Sequence, residues 1–189
     1  MSIEFAIPDP CLVVLIGASG SGKSTFAARH FAPGEILSSD AFRARLGHGE
    51  TDQAVSRRAF GVLHLALERR LAAGRTAVID ATNVQAHARQ ALTRRARSAA
   101  VPALAVVLDL PLAECLAGDL TRADRHVPVA VVERQWAALR ATLDGASLTT
   151  EGFAAVHRLT SRAAVDSVVV RRAGEGWPTR PRPRSKRSS

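Results

Sequence analysis

The chain has 189 residues, 47% of them apolar, and a formal net charge of +9. This length favours a single domain, and the apolar share is enough for a packed core, which excludes a wholly disordered chain. The apolar runs are shorter than the ~18 residues of a membrane span and the first residues lack the pattern of a secretory leader, so we expect a cytoplasmic protein without a membrane segment.

The predicted strands and helices alternate along the chain. In chain order, they are a strand at Cys11–Ile16, a helix that ends near Phe31, a strand at Glu35–Ser39, a helix at Asp52–Ala73, a strand at Thr76–Ile79, a helix at Gln85–Ala99, a strand at Leu104–Leu110, helices from Pro111 and at Val129–Leu143, and terminal strands at Phe153–Leu159 and Ser167–Arg172. Continuous apolar runs with β-branched residues are typical of strands buried on both faces, and apolar residues three and four apart are typical of packed helices. This order predicts an α/β fold around a parallel sheet.

Most of the basic excess lies at the C-terminal end. Residues 171–189 contain seven Lys or Arg and one acidic residue, which leaves a net charge of only +3 on residues 1–170. Prolines among the arginines of 173–189 predict a disordered tail after a folded domain at 1–172. The tail is either an arm that attracts nucleic acid through salt-sensitive contacts with phosphates, or a solubilising end.

Residues 17–24 (GASGSGKS) match the phosphate-binding pattern G-x-x-x-x-G-K-[ST], the P-loop, between a predicted strand and a predicted helix. Small residues allow successive backbone N–H groups to wrap phosphates, and the helix N-terminus adds partial positive charge. Lys23 is expected to reach the β- and γ-phosphates of ATP, and the Ser24 hydroxyl is expected to bind Mg²⁺. The predicted ATP-binding residues are Gly17, Ala18, Ser19, Gly20, Ser21, Gly22, Lys23, Ser24 and Thr25.

Two classes of P-loop protein are excluded. Guanine recognition through N-K-x-D is excluded because the single asparagine, Asn83, is followed by Val84. A large mechanochemical ATPase needs more chain for its accessory elements. The length therefore favours a small phosphotransferase, and we predict a kinase-type P-loop NTPase fold with a central, mostly parallel sheet flanked by helices.

Charged residues follow the predicted strands, at the sheet edge where open α/β proteins bind ligands. Asp40 ends the second strand and is a candidate general base for an attacking hydroxyl, or alternatively the N-cap of a short helix. Arg43, one helical turn later, either binds an anionic acceptor or is an ordinary solvated side chain. Asp80 follows the third strand as a candidate Mg²⁺ ligand, a partner that orients Arg43, or a turn residue. Asp109 has a similar setting with a weaker context.

Arg122 and Arg125 flank Asp124 in a segment with few apolar residues between two predicted helices. Such a segment can fold over bound nucleotide as a lid and bring arginine to the transferred phosphate. The alternative is that both arginines belong to a solvated surface.

The histidines and cysteines do not indicate a metal site. The six histidines lack the spacing of zinc ligands, and the two cysteines belong to no ligand pair and cannot form a disulfide framework. His64 and Trp136 lie on apolar helix faces and Cys11 lies in a strand, so all three are expected in the core.

Several phrases occur here in an order that resembles one family. They are LVVLIGASGSGKSTFA (12–27), SSDAFR (38–43), DQ (52–53), VIDATNVQ (78–85), VVLDLP (106–111), RADR (122–125) and EGF (151–153). Over roughly residues 10–170, the sequence resembles the 5′-kinase module of bacterial polynucleotide kinase-phosphatase and its stand-alone ATPase-like relatives.

The resemblance implies transfer of the ATP γ-phosphate to a 5′-OH end of DNA or RNA. It implies that Lys23 and Ser24 bind phosphate and Mg²⁺, and that Asp40 is the general base. It further implies that Arg43 binds the phosphate of the acceptor's terminal nucleotide, and that Arg122 and Arg125 are the arginines of a lid.

The sequence departs from this family at the start of the lid. The family usually has arginine and asparagine four and three residues before the equivalent of Arg122, where this chain has Gly118 and Asp119. The loss of one cation is expected to weaken transition-state stabilisation, by about 10³-fold in rate where such an arginine acts as a finger. Restoring an arginine at Gly118 is therefore expected to raise turnover.

The favoured hypothesis is an ATP- and Mg²⁺-dependent kinase that acts on a nucleic-acid 5′-OH end. Two alternatives stay open. One is a small-molecule kinase of the gluconate or shikimate kind, in which Arg43 binds the acceptor instead. The other is an ATP-binding or ATP-hydrolysing regulatory or toxin-like module with a weakened lid.

Overall fold

The structure is a computed structural model that describes residues 2–45, 53–121, 126–144 and 147–173. In these ranges the strands are β1 (Ile3–Pro8), β2 (Leu12–Ile16), β3 (Ile36–Ser38), β4 (Ala77–Asp80), β5 (Ala103–Leu108), β6 (Ala155–Leu159) and β7 (Val168–Ala173). The helices are α1 (Lys23–His30), α2 (Ser39–Arg45), α3 (Gln53–Ala72), α4 (Ala86–Ser98), α5 (Leu112–Leu120), α6 (Val129–Asp144) and α7 (Arg162–Asp166). Short 3₁₀ turns lie at Pro33–Glu35 and Ser147–Thr149.

The strands form a central sheet and a separate ribbon. The central sheet has the order β3-β4-β2-β5-β6, and β1 pairs with β7 in the ribbon. Every one of these pairings is parallel, and helices connect successive strands of the central sheet. This confirms the predicted α/β architecture with helices flanking a parallel sheet. Because β2 is the middle strand, the P-loop that follows it opens at the centre of the carboxyl edge, between the ends of β4 and β5.

Strand β2 is rigidly held because both of its faces are buried. All of its side chains, Leu12–Ile16, are 0% exposed. Val13 and Leu15 pack in one apolar cluster with Phe26 of α1, and the alternate residues pack in a second cluster with Leu63 of α3. Fully burying an aliphatic side chain contributes about 1.5–3 kcal/mol, so this short strand is a strong anchor for the loop that follows it.

The first strand of the chain, β1, was not among the predicted elements. Its Ile3, Phe5 and Ile7 alternate with other residues, which is the period-two pattern of a strand with one buried face. Ile3 lies opposite Val168 of β7, so the predicted terminal strand belongs to the ribbon and not to the central sheet. A partner at the opposite end of the chain leaves no local signal in the sequence.

The segment around Asp40 also differs from the prediction. Strand β3 ends at Ser38, and Asp40 lies in the first turn of α2. The prediction that Asp40 ends a strand is therefore wrong, since the helix begins before it. A carboxylate in a first helical turn is stabilised by the partial positive charge of the helix N-terminus.

The structure also bears on the predicted end of the folded domain and on possible membrane spans. Strand β7 ends at Ala173, the first residue of the predicted tail, and the rest of that tail lies outside the described residues. Within the described ranges, every helix is too short or too polar to cross a bilayer.

His157 makes the stability of the fold sensitive to acid. Its ring stacks on Phe5 at 4.1 Å between centroids, and its Nε2 atom is buried without a hydrogen-bond partner in the described structure. Burial lowers the pKa of His157 from its ordinary value of 6.5. The unfolded chain therefore binds a proton more readily than the folded one, and stability is lost as the pH falls below about 6.5.

We expect the melting temperature to fall between about pH 7.5 and about pH 5.5, and His157→Phe to reduce that slope while keeping the stack on Phe5. Thermal unfolding at both pH values measures it. Some slope should persist, because burial also lowers the pKa of His30 and His64. An unchanged slope in the variant would show that His157 does not titrate on unfolding.

Candidate active site

The P-loop curls around the amine of Lys23. This side chain is only 7% exposed, and its Nζ donates to the Ala18 carbonyl at 2.7 Å and to Ser21 Oγ at 3.3 Å. The Gly17 N–H donates to the Thr82 carbonyl at 3.0 Å, which ties the loop to the segment after β4. The predicted phosphate-binding residues therefore form one compact loop at the start of α1.

Helix α5 lies directly against the P-loop. A Cβ atom at Gly20 would lie 1.8 Å from the Cys115 carbonyl oxygen, and one at Gly118 would lie 2.2 Å from the Gly20 carbonyl oxygen. Gly20 also has a φ of +75°, in the left-handed region that favours glycine. Both glycines are thus required by the close approach of two backbones.

Ser24 and Asp80 meet at the end of β4. The Ser24 hydroxyl donates to Asp80 Oδ2 at 2.8 Å, although the two residues are far apart in the sequence. A hydroxyl and a carboxylate are hard oxygen ligands, which Mg²⁺ prefers when phosphates and waters complete its shell. The residues present therefore fit a Mg²⁺ ion held jointly with a nucleotide.

A buried network fixes the segment that carries Asp80. Asn83 adopts a φ of +49°, and its Nδ2 donates to the Leu15 carbonyl of β2 at 2.7 Å. Arg89 of α4 donates from Nη1 to the Asn83 carbonyl at 2.9 Å, and from Nε and Nη2 to Glu151 at 2.7 Å each. Both side chains of this ion pair are almost completely buried. The phrases DATN and EGF are therefore partners in one network, which the sequence analysis did not foresee.

Asp40 and Arg43 form an ion pair on α2. Arg43 Nη1 donates to Asp40 Oδ1 at 2.8 Å, and the guanidinium lies 5.7 Å from the centroid of the Phe60 ring. Arg43 Nε is buried and has no hydrogen-bond partner among the described residues, so the guanidinium retains unused donor capacity. The pair can therefore offer both a proton acceptor and an anion-binding group.

One cleft of about 800 Å³ brings the two sets of groups together. Lys23, Ser24 and Asp80 line it on the P-loop side, and Asp40 and Arg43 line it from α2. Further lining residues come from α5, α6 and α7 and include Glu114, Gln135 and Arg162, and Thr121 lines the cleft directly after α5. The volume suits a nucleotide together with part of an acceptor.

A family model described as an AAA domain matches residues 12–146. The chain belongs to the AAA domain family. The match contains the P-loop and β2–β5, and with the observed fold it places the chain among the P-loop kinases and ATPases. A comparison with curated proteins gave no match.

Solved structures of several functional kinds share this fold. A chain of the Pnkp1/Rnl/Hen1 RNA repair complex has a TM-score of 0.65 at 24% identity, over 74% of this chain and 47% of that chain, so the present chain spans about half of its length. A gluconokinase from Sinorhizobium meliloti 1021 has a TM-score of 0.53 at 17% identity, over 85% of this chain and 90% of that chain. A chain of the PezAT toxin–antitoxin system of Streptococcus pneumoniae has a TM-score of 0.61 at 13% identity, with coverages of 85% and 71%. At these identities, the likeness shows the fold and not the substrate.

The predictions for the lid arginines and for Asp109 have different outcomes. Arg122 and Arg125 fall outside the described residues, so the arginine lid stays a prediction. Asp109 does not line the cleft, because its buried carboxylate accepts hydrogen bonds from Arg140 and Arg158. That carboxylate therefore has a structural role in joining β5, α6 and β6.

Asp119 does not line the cleft either. It is 3% exposed, and its Oδ2 accepts the Val127 N–H at 2.7 Å. The carboxylate thus joins the residues that flank the segment 122–125.

Two residues near the P-loop were missed by the sequence analysis. Gln135 Oε1 of α6 accepts the Ser19 N–H at 2.8 Å, and the Arg162 guanidinium of α7 lies beside Gly20 and Ser21. Gln135 sits in a predicted helix without a motif, and α7 is too short to show a periodic pattern. Long-range contact, not local sequence, brings both side chains to the loop.

Proposed function

We propose that this AAA-family chain transfers the γ-phosphate of ATP to the 5′-hydroxyl end of a nucleic acid. The observation that carries the proposal is the Asp40–Arg43 pair, which lines the same cleft as Lys23 and the Ser24–Asp80 pair. Phosphoryl transfer requires a phosphate site, a metal site and a base within reach of one another, and the cleft supplies a candidate for each.

The P-loop side is the donor site. The loop N–H groups and Lys23 would bind the β- and γ-phosphates, and Ser24 with Asp80 would hold Mg²⁺. When bound, Mg²⁺ neutralises charge on the phosphate oxygens. The low exposure of Lys23 strengthens its attraction to phosphate, because less water screens it.

The α2 side is the acceptor site. Asp40 accepts the proton of the 5′-hydroxyl while that oxygen forms a bond to the γ-phosphorus, and the bond from the γ-phosphorus to the bridging oxygen of ADP breaks. Arg43 binds the phosphate of the acceptor's terminal nucleotide through its planar guanidinium. Because the guanidinium retains unused donor capacity, it can bind this phosphate while Nη1 stays paired with Asp40.

A small carboxylated acceptor is the second candidate. A guanidinium pairs with a carboxylate as well as with a phosphate, and the gluconokinase fold extends over 85% of this chain. The regulatory or toxin-like alternative corresponds to nucleotide binding without transfer to any acceptor.

The test is a transfer assay with γ-labelled ATP. The acceptors are a DNA and an RNA oligonucleotide with a 5′-hydroxyl, the same oligonucleotides with a 5′-phosphate, and a panel of gluconate, shikimate and nucleosides. We expect label on the 5′-hydroxyl oligonucleotides alone, and none when excess EDTA removes Mg²⁺. Label on a metabolite alone would exclude the nucleic-acid acceptor, and ATP binding without any label would favour the regulatory alternative.

A further inference from the structure

Helix α7 directs an arginine at the P-loop from one side of the cleft. The Ser161 side chain caps this helix by accepting the Ala164 N–H at 3.1 Å, which places Arg162 at its first position. Arg162 Nη1 donates to the Ser21 carbonyl at 3.2 Å, and Nη2 donates to the Gly20 carbonyl at 3.4 Å. Two successive loop carbonyls thus face one guanidinium.

Two glycines leave the space that this guanidinium occupies. A Cβ atom at Gly22 would lie 2.6 Å from Arg162 Nη1, and one at Gly118 would lie 3.3 Å from Nη2. Gly22 precedes Lys23 in the loop, and Gly118 lies on α5. The partly buried cation of Arg162 therefore lies between the P-loop and α5, beside the glycine at which the lid pattern leads one to expect an arginine.

The contact determines how the loop peptides are oriented. A trans peptide is planar, so the N–H of a peptide unit points away from its carbonyl. Holding the Gly20 and Ser21 carbonyls against Arg162 turns the N–H groups of Ser21 and Gly22 to the opposite side of the loop. There the Ser21 N–H donates to the Ala18 carbonyl at 3.2 Å, which closes the loop. The Gly22 N–H is the kind of backbone donor that a P-loop presents to phosphate.

The charge of Arg162 also acts within the site. Burial raises the pKa of the Cys115 thiol, and the nearby charges of Lys23 and Arg162 oppose that increase. The two cations therefore act on the same residue of α5. A partly buried cation beside a phosphate site adds to the local positive potential.

We propose that Arg162 is a positioning residue for the triphosphate: it fixes the Gly20 and Ser21 carbonyls so that the loop N–H groups stay oriented towards phosphate. This inference rests on the proposed nucleotide binding, and it is independent of which acceptor is used. Arg162 acts through its hydrogen bonds to the loop carbonyls, and its side chain also lines the cleft.

The experiment compares Arg162→Met, Arg162→Lys and the control Arg29→Met. Arg29 of α1 is a matched control, because it pairs with Asp166 at the other end of α7 at 3.1 Å and contacts no loop carbonyl in the described structure. Calorimetry gives the Kd for ATP and for inorganic tripolyphosphate, both with Mg²⁺, and thermal unfolding of the free protein reports on the fold.

We expect Arg162→Met to raise the Kd for ATP and the Kd for tripolyphosphate by the same factor, about tenfold or more. This is the effect of losing hydrogen bonds to a charged group. Arg162→Lys keeps the charge without the fork and should lie between the wild type and Arg162→Met. Arg29→Met should bind both probes as the wild type does.

Three outcomes would overturn the inference. A higher Kd for ATP alone would mean that Arg162 contacts the nucleoside. Unchanged Kd values for both probes would mean that the loop keeps its shape without Arg162. Equal weakening in Arg29→Met would mean that α7 as a whole supports the site. If Arg162→Met does not fold, Arg162→Lys carries the same comparison. A wild type that binds neither probe would instead refute the nucleotide proposal itself.

Discussion

Gly118→Arg is expected to abolish measurable ATP binding instead of raising turnover. The first atom of any side chain at this position would lie 2.2 Å from the Gly20 carbonyl oxygen and 3.3 Å from Arg162 Nη2. The P-loop backbone must move to admit it, and a misplacement of about 1 Å at a catalytic site can cost about 10²-fold. Overpacking of this kind also lowers the free energy of unfolding by about 1–3 kcal/mol.

The measurement is the Kd for ATP with Mg²⁺, together with thermal unfolding. Ala113→Arg is the matched control, because it adds the same side chain at an exposed position of the same helix. Gly118→Ala should show a smaller loss in the same direction. Faster phosphoryl transfer in Gly118→Arg would mean that α5 can retreat from the loop and that the missing lid arginine limits the wild type.

The effect of an arginine at Gly118 depends on contacts that a local sequence pattern does not report. The P-loop and its flanking elements were predictable, because an apolar run, a glycine-rich loop and a helix follow one another within one short segment. The role of Gly118 was not predictable, because it depends on how closely α5 approaches Gly20, two segments that are far apart in the chain. A pattern comparison shows only that an expected arginine is missing there.

The buried network behind Asp80 likewise depends on residues that are far apart in the sequence. The phrase DATN indicated a metal-binding carboxylate, and the structure does place Asp80 on the Ser24 hydroxyl. The residues that keep it there, Arg89 and Glu151, meet only in the folded chain. Removing one partner of such a buried pair costs about 3–5 kcal/mol, so these residues support the site without carrying chemistry.

The two cations beside the P-loop come from distant parts of the chain. The net charge of residues 1–170 is only an average. The charges that can act on a bound phosphate are those that the fold places beside the P-loop. Lys23 comes to the loop through the motif, and Arg162 comes to it through α7 at the other end of the chain. The first cation can be recognised from the sequence because it belongs to a motif, and the second cannot because it has none.

Asp40→Asn and Arg43→Met should separate the chemical step from acceptor binding. Asparagine keeps an oxygen that can accept the Arg43 hydrogen bond, now 2.8 Å long, but it cannot take a proton from the hydroxyl. We therefore expect kcat to fall by about 10²–10⁴-fold with little change in the Kd for ATP, as for the loss of a general base.

Arg43→Met removes the anion-binding group and leaves Asp40 in place. It should raise the KM for the acceptor by about tenfold or more, in line with the loss of a charge-assisted hydrogen bond, and change kcat much less. Arg45→Met is the matched control, because Arg45 is an exposed arginine on the same helix. Steady-state kinetics on the acceptor that the transfer assay identifies measure all three variants. If Asp40→Asn instead raised only the KM, Asp40 would serve to orient Arg43, and the base would have to be another group of the cleft. If both variants lost ATP affinity alone, α2 would belong to the nucleotide site, and the division of the cleft into a donor side and an acceptor side would be wrong.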